Sequence, residues 1–209
     1  MLEVLSRGGV LVIPILFCSL AGLTIFFERF LLYRRVTFSD DALESLCELV
    51  QEKRTAEAFG LLQPVRRGLR QPLNVILLDA LTYARTDRET MELLLSQGVS
   101  REIQYLARHL TTLATLGNIA PLLGLLGTVL GMIKAFAVVE RMGGKVNAAM
   151  LAGGIWEAML TTALGLSVAI PLIILHNYLE NRLNGIQAGL EERTIAFFKA
   201  WLASSGKEA

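Results

Sequence analysis

The sequence is poor in the residues from which most enzyme and metal sites are built. Among 209 residues there are two histidines, His109 and His176, and two cysteines, Cys18 and Cys47. The cysteines lie in different segments, and neither histidine is accompanied by carboxylates or cysteines at metal-ligand spacing. Neither a GxGxxG nor a GxxxxGK nucleotide-binding motif occurs. These absences predict a chain that is not an enzyme and has no catalytic residues, no metal site and no cofactor.

The chain also lacks an excess of either charge. Lysine and arginine total 20, aspartate and glutamate total 19, and the formal net charge is +1. This balance gives no reason to expect a nucleic-acid partner or an acidic substrate, because both favour a basic surface.

The alternation of polar and apolar residues that is typical of strands is absent as well. The sequence therefore predicts an all-α fold.

Apolar residues are in excess, and they form long runs. The hydrophobic fraction is 53% and the mean hydropathy is +0.51. No charged residue occurs in Gly8–Phe27, Leu110–Ile133 or Ala158–Leu175. A helix needs about 20 apolar residues to cross a hydrocarbon core of about 30 Å, and buried helices of soluble proteins rarely run so long without a charged face. We therefore expect an integral membrane protein with three transmembrane helices.

Basic residues near the ends of the apolar runs predict the orientation. Arg7 alone precedes the first run, whereas the long segment between the first and second runs has five flanking arginines: Arg29, Arg34, Arg35, Arg101 and Arg108. Lysine and arginine accumulate on the cytoplasmic side of membrane proteins. We therefore expect the N-terminus on the outer side of the membrane, and the long segment and the C-terminus in the cytoplasm.

This layout divides the chain into six regions. They are a first transmembrane helix with a short N-terminus on the outer (in a bacterial inner membrane, periplasmic) side (1–30), a cytoplasmic helical domain (31–109), a second transmembrane helix (110–139), a connection on the same outer side (140–154), a third transmembrane helix (155–179) and a cytoplasmic C-terminal helix (180–209).

Local signals predict helices within the cytoplasmic domain. Ser39 or Asp40 is suited to cap a helix, and Pro72 is suited to the first turn of a later one. Thr86-x-x-Glu89 has the form of a capping box that opens a third helix. Because no later residue stops this third helix, we expect one continuous rod from about residue 87 to 139.

Small residues recur along one side of the second and third apolar runs. The glycines among them are Gly117, Gly124, Gly127 and Gly131 in the second run and Gly165 in the third. Gly127 and Gly131 form a GxxxG pair. Small residues allow helix backbones to approach closely in lipid, where packing drives association. We expect these glycines to pack helices together, either within one subunit or between subunits.

Glu157 is the carboxylate that separates two uncharged stretches at the outer end of the third run. A carboxylate near the middle of a bilayer costs about 2.5–3.5 kcal/mol on insertion scales and less near the interface, so it usually contacts a cavity or a partner. Thr161 lies four residues later on the same helical side, and Thr162 lies towards the small residues. Glu157 is therefore either part of an ion path or partner contact, or an interfacial residue that reaches water.

Lys134 is interpreted as a boundary residue that extends its ammonium group to water.

Two ordered motifs in these runs resemble those of the MotA/TolQ/ExbB proton channel family. The first is NIAPLLGLLGTVLGM at residues 118–132, and the second is IWEAMLTTALGL at 155–166, which continues into Val168-Ala-Ile-Pro171 and Asn177-Tyr178. The layout of three spans with a long cytoplasmic insertion is also similar, so the resemblance covers essentially the whole chain. The Thr-Val-Leu-Gly-Met spelling is more similar to the ExbB and TolQ branch than to the flagellar stators.

The resemblance implies a bacterial inner-membrane protein that forms a ring-shaped homo-oligomer, a pentamer in ExbB-like members. Such rings surround single-span partners of the ExbD/TolR type, which carry an intramembrane aspartate, and act with TonB- or TolA-like proteins. The ring supplies hydroxyl groups that face this aspartate. They correspond here to Thr128 and Thr162, with Glu157 as the matched carboxylate. Trp156 departs from the family pattern, in which a small residue is commoner.

The combined prediction is a channel-forming subunit of a motor driven by the proton-motive force. It would couple proton transport to mechanical work on an outer-membrane system, with TonB-dependent uptake favoured. Alternatives are a Tol-Pal envelope-integrity motor, a motility motor and a non-conducting membrane scaffold. The predicted proton-pathway or partner-facing residues are Thr128, Glu157, Thr161 and Thr162. Polar groups within membrane helices favour a channel, because a scaffold has no need of them.

Overall fold

The computed structural model describes residues 9–62, 71–83, 86–141 and 148–205, and within them the chain is helical. This confirms the all-α prediction. The helices are α1 (Val12–Arg35), α2 (Asp40–Gln51), α3 (Thr55–Leu62), α4 (Pro72–Thr82), α5 (Arg88–Ala107), α6 (Leu110–Arg141) and α7 (Ala148–Ser205).

Three helical stretches are long and apolar enough to cross a membrane. By length and composition they are Val12–Arg35, Arg88–Arg141 and Leu151–Ser204, with mean hydropathies of 1.9, 2.1 and 2.2 over their most apolar windows. Arg88–Arg141 and Leu151–Ser204 each contain one whole uncharged run, and Val12–Arg35 contains the first run from Val12 onwards. Less than a third of each window is buried inside the chain, so most of these apolar side chains are left for lipid or another protein. The three-span prediction is therefore confirmed.

The chain divides into two compact units. The first, here called the membrane unit, comprises Met1–Glu28 and His109–Leu179. The second, here called the extramembrane unit, comprises Arg29–Arg108 and Glu180–Ala209. Helices α1 and α7 each contribute to both units.

Within the membrane unit the helix directions follow from close contacts. Gly117 lies against Ile173, and Gly131 lies against Ala158, so α6 and α7 run antiparallel. Gly22 of α1 lies against Leu172 of α7. Gly9, earlier in the chain than Gly22, lies against Glu157, which is earlier than Leu172. The chain entering α1 therefore runs in the same direction as α7.

The extramembrane unit has its own apolar core. Its most deeply buried large side chains are Tyr33, Leu46, Ile76, Leu77, Met91, Leu106, Leu190 and Phe197. Two predicted helix starts are present here. Ser39 caps α2 by accepting a hydrogen bond from the backbone amide of Ala42 at 3.5 Å, and Pro72 lies in the first turn of α4.

The capping box predicted at Thr86 is wrong by one residue. Asp87 is the N-cap of α5, and its carboxylate accepts hydrogen bonds from the backbone amide of Thr90 at 3.0 Å and from the Thr90 hydroxyl at 2.7 Å. A carboxylate at this position also interacts favourably with the positive end of the helix dipole, which a threonine hydroxyl does not.

The continuous rod predicted for residues 87–139 is also wrong. Helix α5 ends at Ala107, and α6 begins at Leu110. Between them Arg108 is extended, with φ −50° and ψ 136°, and His109 has a positive φ of 68°. A left-handed residue cannot continue an α-helix, and histidine is among the residues other than glycine that tolerate this conformation.

The carbonyl groups left open at the end of α5 are bonded by side chains from α1. Arg29 lies 3.3 Å from the Tyr105 oxygen and 3.5 Å from the Leu106 oxygen through its Nη1 atom. The Tyr33 hydroxyl donates to the Leu106 oxygen at 2.8 Å. Arg29 and Tyr33 are both buried. A buried cation at a helix C-terminus satisfies orphan carbonyl groups and interacts favourably with the dipole, so these contacts stabilise the interruption.

Candidate functional site

The small residues of the second and third apolar runs meet each other within a single chain. A methyl group added at Gly131 would lie 2.8 Å from the Ala158 side chain, and one added at Gly165 would lie 2.6 Å from the Ala120 oxygen. Gly117, Gly124 and Gly127 likewise face α7, and all but Gly165 are on α6. The five glycines named from the sequence therefore line the contact between α6 and α7.

Thr162 connects these two helices by a hydrogen bond. Its hydroxyl donates to the Gly124 oxygen at 2.9 Å. The approach depends on glycine, because a Cβ atom at Gly124 would lie 3.0 Å from the Thr162 Cα. Thr162 remains partly exposed.

Thr161 lies deeper in the same contact. Its side chain is 2% exposed, and its hydroxyl donates to the Ala158 oxygen one turn earlier at 2.7 Å. The hydroxyl would meet any Cβ atom placed at Gly127. Within this chain Thr161 therefore fills the space that Gly127 leaves open.

Thr128 lies at the same level of the helix pair as Thr162. It follows Gly127, which contacts Thr161, so the two hydroxyl-bearing residues are on neighbouring helices at equal depth. The Thr128 hydroxyl donates to the Leu125 oxygen at 2.6 Å. The side chain is partly exposed.

Glu157 is one helical turn, about 6 Å, from Thr161 in the direction of the α7 N-terminus. Its Oε1 atom lies 2.9 Å from the Nζ atom of Lys134 on α6. The Glu157 side chain is 27% exposed and that of Lys134 is 60% exposed. The interpretation of Lys134 as a boundary residue that reaches water stays a prediction, and the structure adds a contact that the sequence did not indicate. The Lys134 ammonium group is within hydrogen-bonding distance of a carboxylate on the neighbouring helix.

The threonines have a defined hydrogen-bonding capacity. Each hydroxyl has one proton, and Thr128 and Thr162 both donate theirs to a backbone carbonyl. What remains on each oxygen is lone-pair acceptor capacity. As placed, these two groups can accept a hydrogen bond from a protonated carboxylic acid on another helix, but they cannot donate one to a carboxylate. Among the residues that the structure describes, no cluster of histidine, cysteine and carboxylate side chains could hold a metal ion.

The sequence that forms these helices matches a known protein family. Residues 63–192, which are more than half of the chain, match the MotA/TolQ/ExbB proton channel family. The chain belongs to this family. The matched region includes α6 and the part of α7 that contains Glu157, Thr161 and Thr162. The members are channel proteins and not enzymes, which confirms the prediction that the chain is not an enzyme.

Individual relatives show the same membership. The chain is 33% identical over 187 residues to a putative biopolymer transport protein ExbB-like 1 of Synechocystis, covering 86% of this chain and 70% of that protein. It is 30% identical over 185 residues to a putative ExbB homolog of Methanothermobacter thermautotrophicus, covering 88% of this chain and 64% of that protein. A Tol-Pal system protein TolQ of Haemophilus influenzae is 40% identical over 90 residues, covering 43% and 39%. The chain thus spans less than two thirds of two of these relatives.

The sequence analysis named Lys134 and Arg29 but missed the contacts that each of them makes. Lys134 and Glu157 are 23 positions apart, and no local pattern indicates that they pair. Arg29 was counted only as a basic flank of the first span, although its guanidinium lies 76 positions away in sequence from one of the carbonyl groups that it contacts. Charged residues at matching depths of neighbouring membrane helices would have been the only signal.

Proposed function

We propose that this protein is the channel-forming subunit of an inner-membrane motor driven by the proton-motive force. Several copies form a ring, a pentamer as in ExbB-like proteins, around a single-span ExbD/TolR-like partner that carries an intramembrane aspartate. Protons pass along this aspartate, and the resulting movement of the partner performs work on an outer-membrane system. The N-terminus is periplasmic and the C-terminus is cytoplasmic.

The observation that carries this proposal is the pair of hydroxyl groups at one depth of the membrane unit. Thr128 and Thr162 are on adjacent helices, and each keeps free acceptor lone pairs after donating its own proton. An aspartate that has taken up a proton is neutral and has an O–H to donate, so these hydroxyls stabilise the form that can cross the apolar zone. Glu157 adds a carboxylate one turn away, and Thr161 supports the site from within the helix contact.

The energy available is sufficient for this role. Each proton that crosses about 100 mV releases about 2.3 kcal/mol from the electrical term alone. That exceeds the net value of a single typical hydrogen bond, which is about 1 kcal/mol. Proton passage can therefore make and break the contacts between a partner aspartate and the ring threonines.

Proton flux through the reconstituted complex tests the proposal. The chain and its single-span partner are placed in vesicles, and acidification is followed under a pH gradient. Thr128→Val should reduce the flux by about tenfold or more, because it removes a polar contact to a protonating group. Thr115→Val is the matched control, since Thr115 is on the same helix and its hydroxyl also donates to a carbonyl one turn earlier, at 2.8 Å.

A non-conducting scaffold gives the opposite result. It would assemble with the partner, yet wild type and both threonine variants would show the same flux as empty vesicles. An Asp→Asn substitution in the partner's membrane helix separates the channel from vesicle leakage.

Within the motor class we propose TonB-dependent uptake as the energised system. Relatives from Pseudomonas putida and Salmonella typhimurium are named biopolymer transport protein ExbB, although each alignment covers under two fifths of the relative. Complementation of two deletion strains separates the systems. Restored growth on a TonB-dependent nutrient supports uptake, whereas restored detergent resistance alone would assign the chain to the Tol-Pal system.

A further inference from the structure

The membrane unit contains an ion pair whose lysine, Lys134, has no role in the proposed pathway. The Lys134 Nζ and Glu157 Oε1 atoms are 2.9 Å apart and join α6 to α7. The same Glu157 oxygen lies against Gly9, in the segment before α1. Three separate segments of the chain therefore meet at one carboxylate.

Gly9 is fitted to this contact in two ways. Its φ angle is +67°, in the left-handed region that side chains disfavour. A Cβ atom at this position would collide with the Glu157 carboxylate. The backbone of the chain thus closes on Glu157 from one side while Lys134 approaches from the other.

From this geometry we infer that Lys134 is the positioning residue of Glu157. Its ammonium group holds the carboxylate against Gly9 and balances its charge, so that the two side chains form a neutral clasp that joins α6, α7 and the segment before α1. The clasp acts at the end of the membrane unit that the predicted topology assigns to the periplasm. Its effect on transport rests on the proposed function, whereas its effect on stability does not.

The physical basis is an asymmetry between removing one charge and removing both. At a fully solvated surface such a pair would contribute little, because water screens it. Beside an apolar membrane helix, loss of Lys134 leaves the half-buried Glu157 carboxylate without its counter-charge, which is destabilising. Loss of both partners leaves no charge to solvate and is tolerated much better. A merely adjacent lysine would show neither effect.

Four variants in the reconstituted complex test this. Lys134→Met should lower the melting temperature in detergent and reduce proton flux by about tenfold or more. Lys134→Arg should retain most of both, because it keeps the charge. In a Glu157→Gln background, Lys134→Met should cause no further loss of flux and should recover part of the melting temperature, since Lys134 acts through Glu157.

The results discriminate clearly. Equal values for Lys134→Met and wild type in both measurements would overturn the inference, as would flux losses that simply add in the double variant. If the wild-type complex itself conducts no protons, the proposed function fails, and the melting temperatures of the same four variants still decide whether the clasp exists.

A second experiment tests the Gly9 side of the clasp. Gly9→Ala should resemble Lys134→Met, with Gly153→Ala as its control because a methyl group at Gly153 meets nothing within 4 Å.

Discussion

The Thr162 hydroxyl donates a hydrogen bond to the Gly124 oxygen, 2.9 Å away, and so ties α7 to α6 at the depth of the proposed pathway. This bond is possible because Gly124 has no side chain, and it leaves the Thr162 oxygen with acceptor capacity on its other side. One residue thereby joins the two helices and keeps a polar group that the proposed pathway can use.

Two substitutions of Thr162 distinguish the contribution of its hydroxyl group from that of its methyl group. Thr162→Val keeps the shape but loses the hydroxyl, so it should cost about 0.6 kcal/mol of stability and most of the proton flux. Thr162→Ser keeps the hydroxyl and should retain both. Thermal unfolding in detergent and flux in vesicles measure the two effects. A serine variant as inactive as the valine variant would show that the methyl group, and not the hydroxyl, matters.

Gly127→Ala should destabilise the membrane unit. The new methyl group would collide with the buried Thr161 side chain, and overpacking of this kind typically costs about 1–3 kcal/mol. Gly185→Ala is the matched control, because a methyl group there meets nothing within 4 Å and replaces glycine in the middle of α7. It should raise stability by about 0.5–1 kcal/mol. Melting temperatures that shift in the same direction for both variants would contradict the packing described for Gly127.

Tyr33→Phe should destabilise the C-terminal end of α5, where the helix stops before α6 begins. The variant removes the donor to the Leu106 oxygen and leaves a buried carbonyl group with one fewer partner, at a cost of about 1 kcal/mol. Tyr83→Phe provides the comparison, since Tyr83 is 53% exposed. Chemical denaturation of the purified chain measures both. An unchanged stability for Tyr33→Phe would mean that the Leu106 oxygen does not depend on this hydroxyl.

The Asp87 cap should make the stability of α5 depend on pH. Hydrogen bonds from the Thr90 hydroxyl and the Thr90 amide lower the pKa of Asp87 below its ordinary value in this exposed position. A carboxyl group whose pKa is lower in the folded state stabilises the fold above its unfolded pKa of about 3.9. This contribution is lost as the pH falls through the folded-state pKa.

Asp87→Ser tests this dependence, because serine also caps helices but has no titrating carboxyl group. Amide hydrogen exchange of the first turn of α5, compared between pH 6 and acid conditions, should show protection in wild type that declines below about pH 4. The serine variant should lose less protection over the same range. Identical pH profiles would remove Asp87 as the source.

The features that the sequence predicts well depend on local signals. The three uncharged runs identify the membrane helices because lipid imposes a minimum apolar length on any helix that crosses it. Ser39 and Pro72 mark helix starts because their capping geometry involves only residues within one turn. The spacing of the small residues identifies Gly124 and Gly127 as packing positions for the same reason.

The features that it misses depend on contacts between distant segments. The helix is interrupted at Arg108 and His109, although neither residue is glycine or proline. The interruption is stabilised by Arg29 and Tyr33, which lie more than 70 positions earlier in the sequence. The pairing of Lys134 with Glu157 likewise requires the antiparallel register of two helices. Thr161 and Thr162 are adjacent in sequence, and only the register places one inside the helix contact and the other at its edge.

The closure of α6 and α7 on each other has a consequence for assembly. Because the five glycines that line this contact are covered within one chain, the outward surface of α6 consists largely of big branched or aromatic side chains. On α6 these include Leu122, Leu125, Ile133 and Phe136, each more than half exposed. In the ring proposed above, recognition between copies would then depend on how these bulky surfaces fit together, and substitutions that alter subunit number should be sought among these side chains and not among the five glycines.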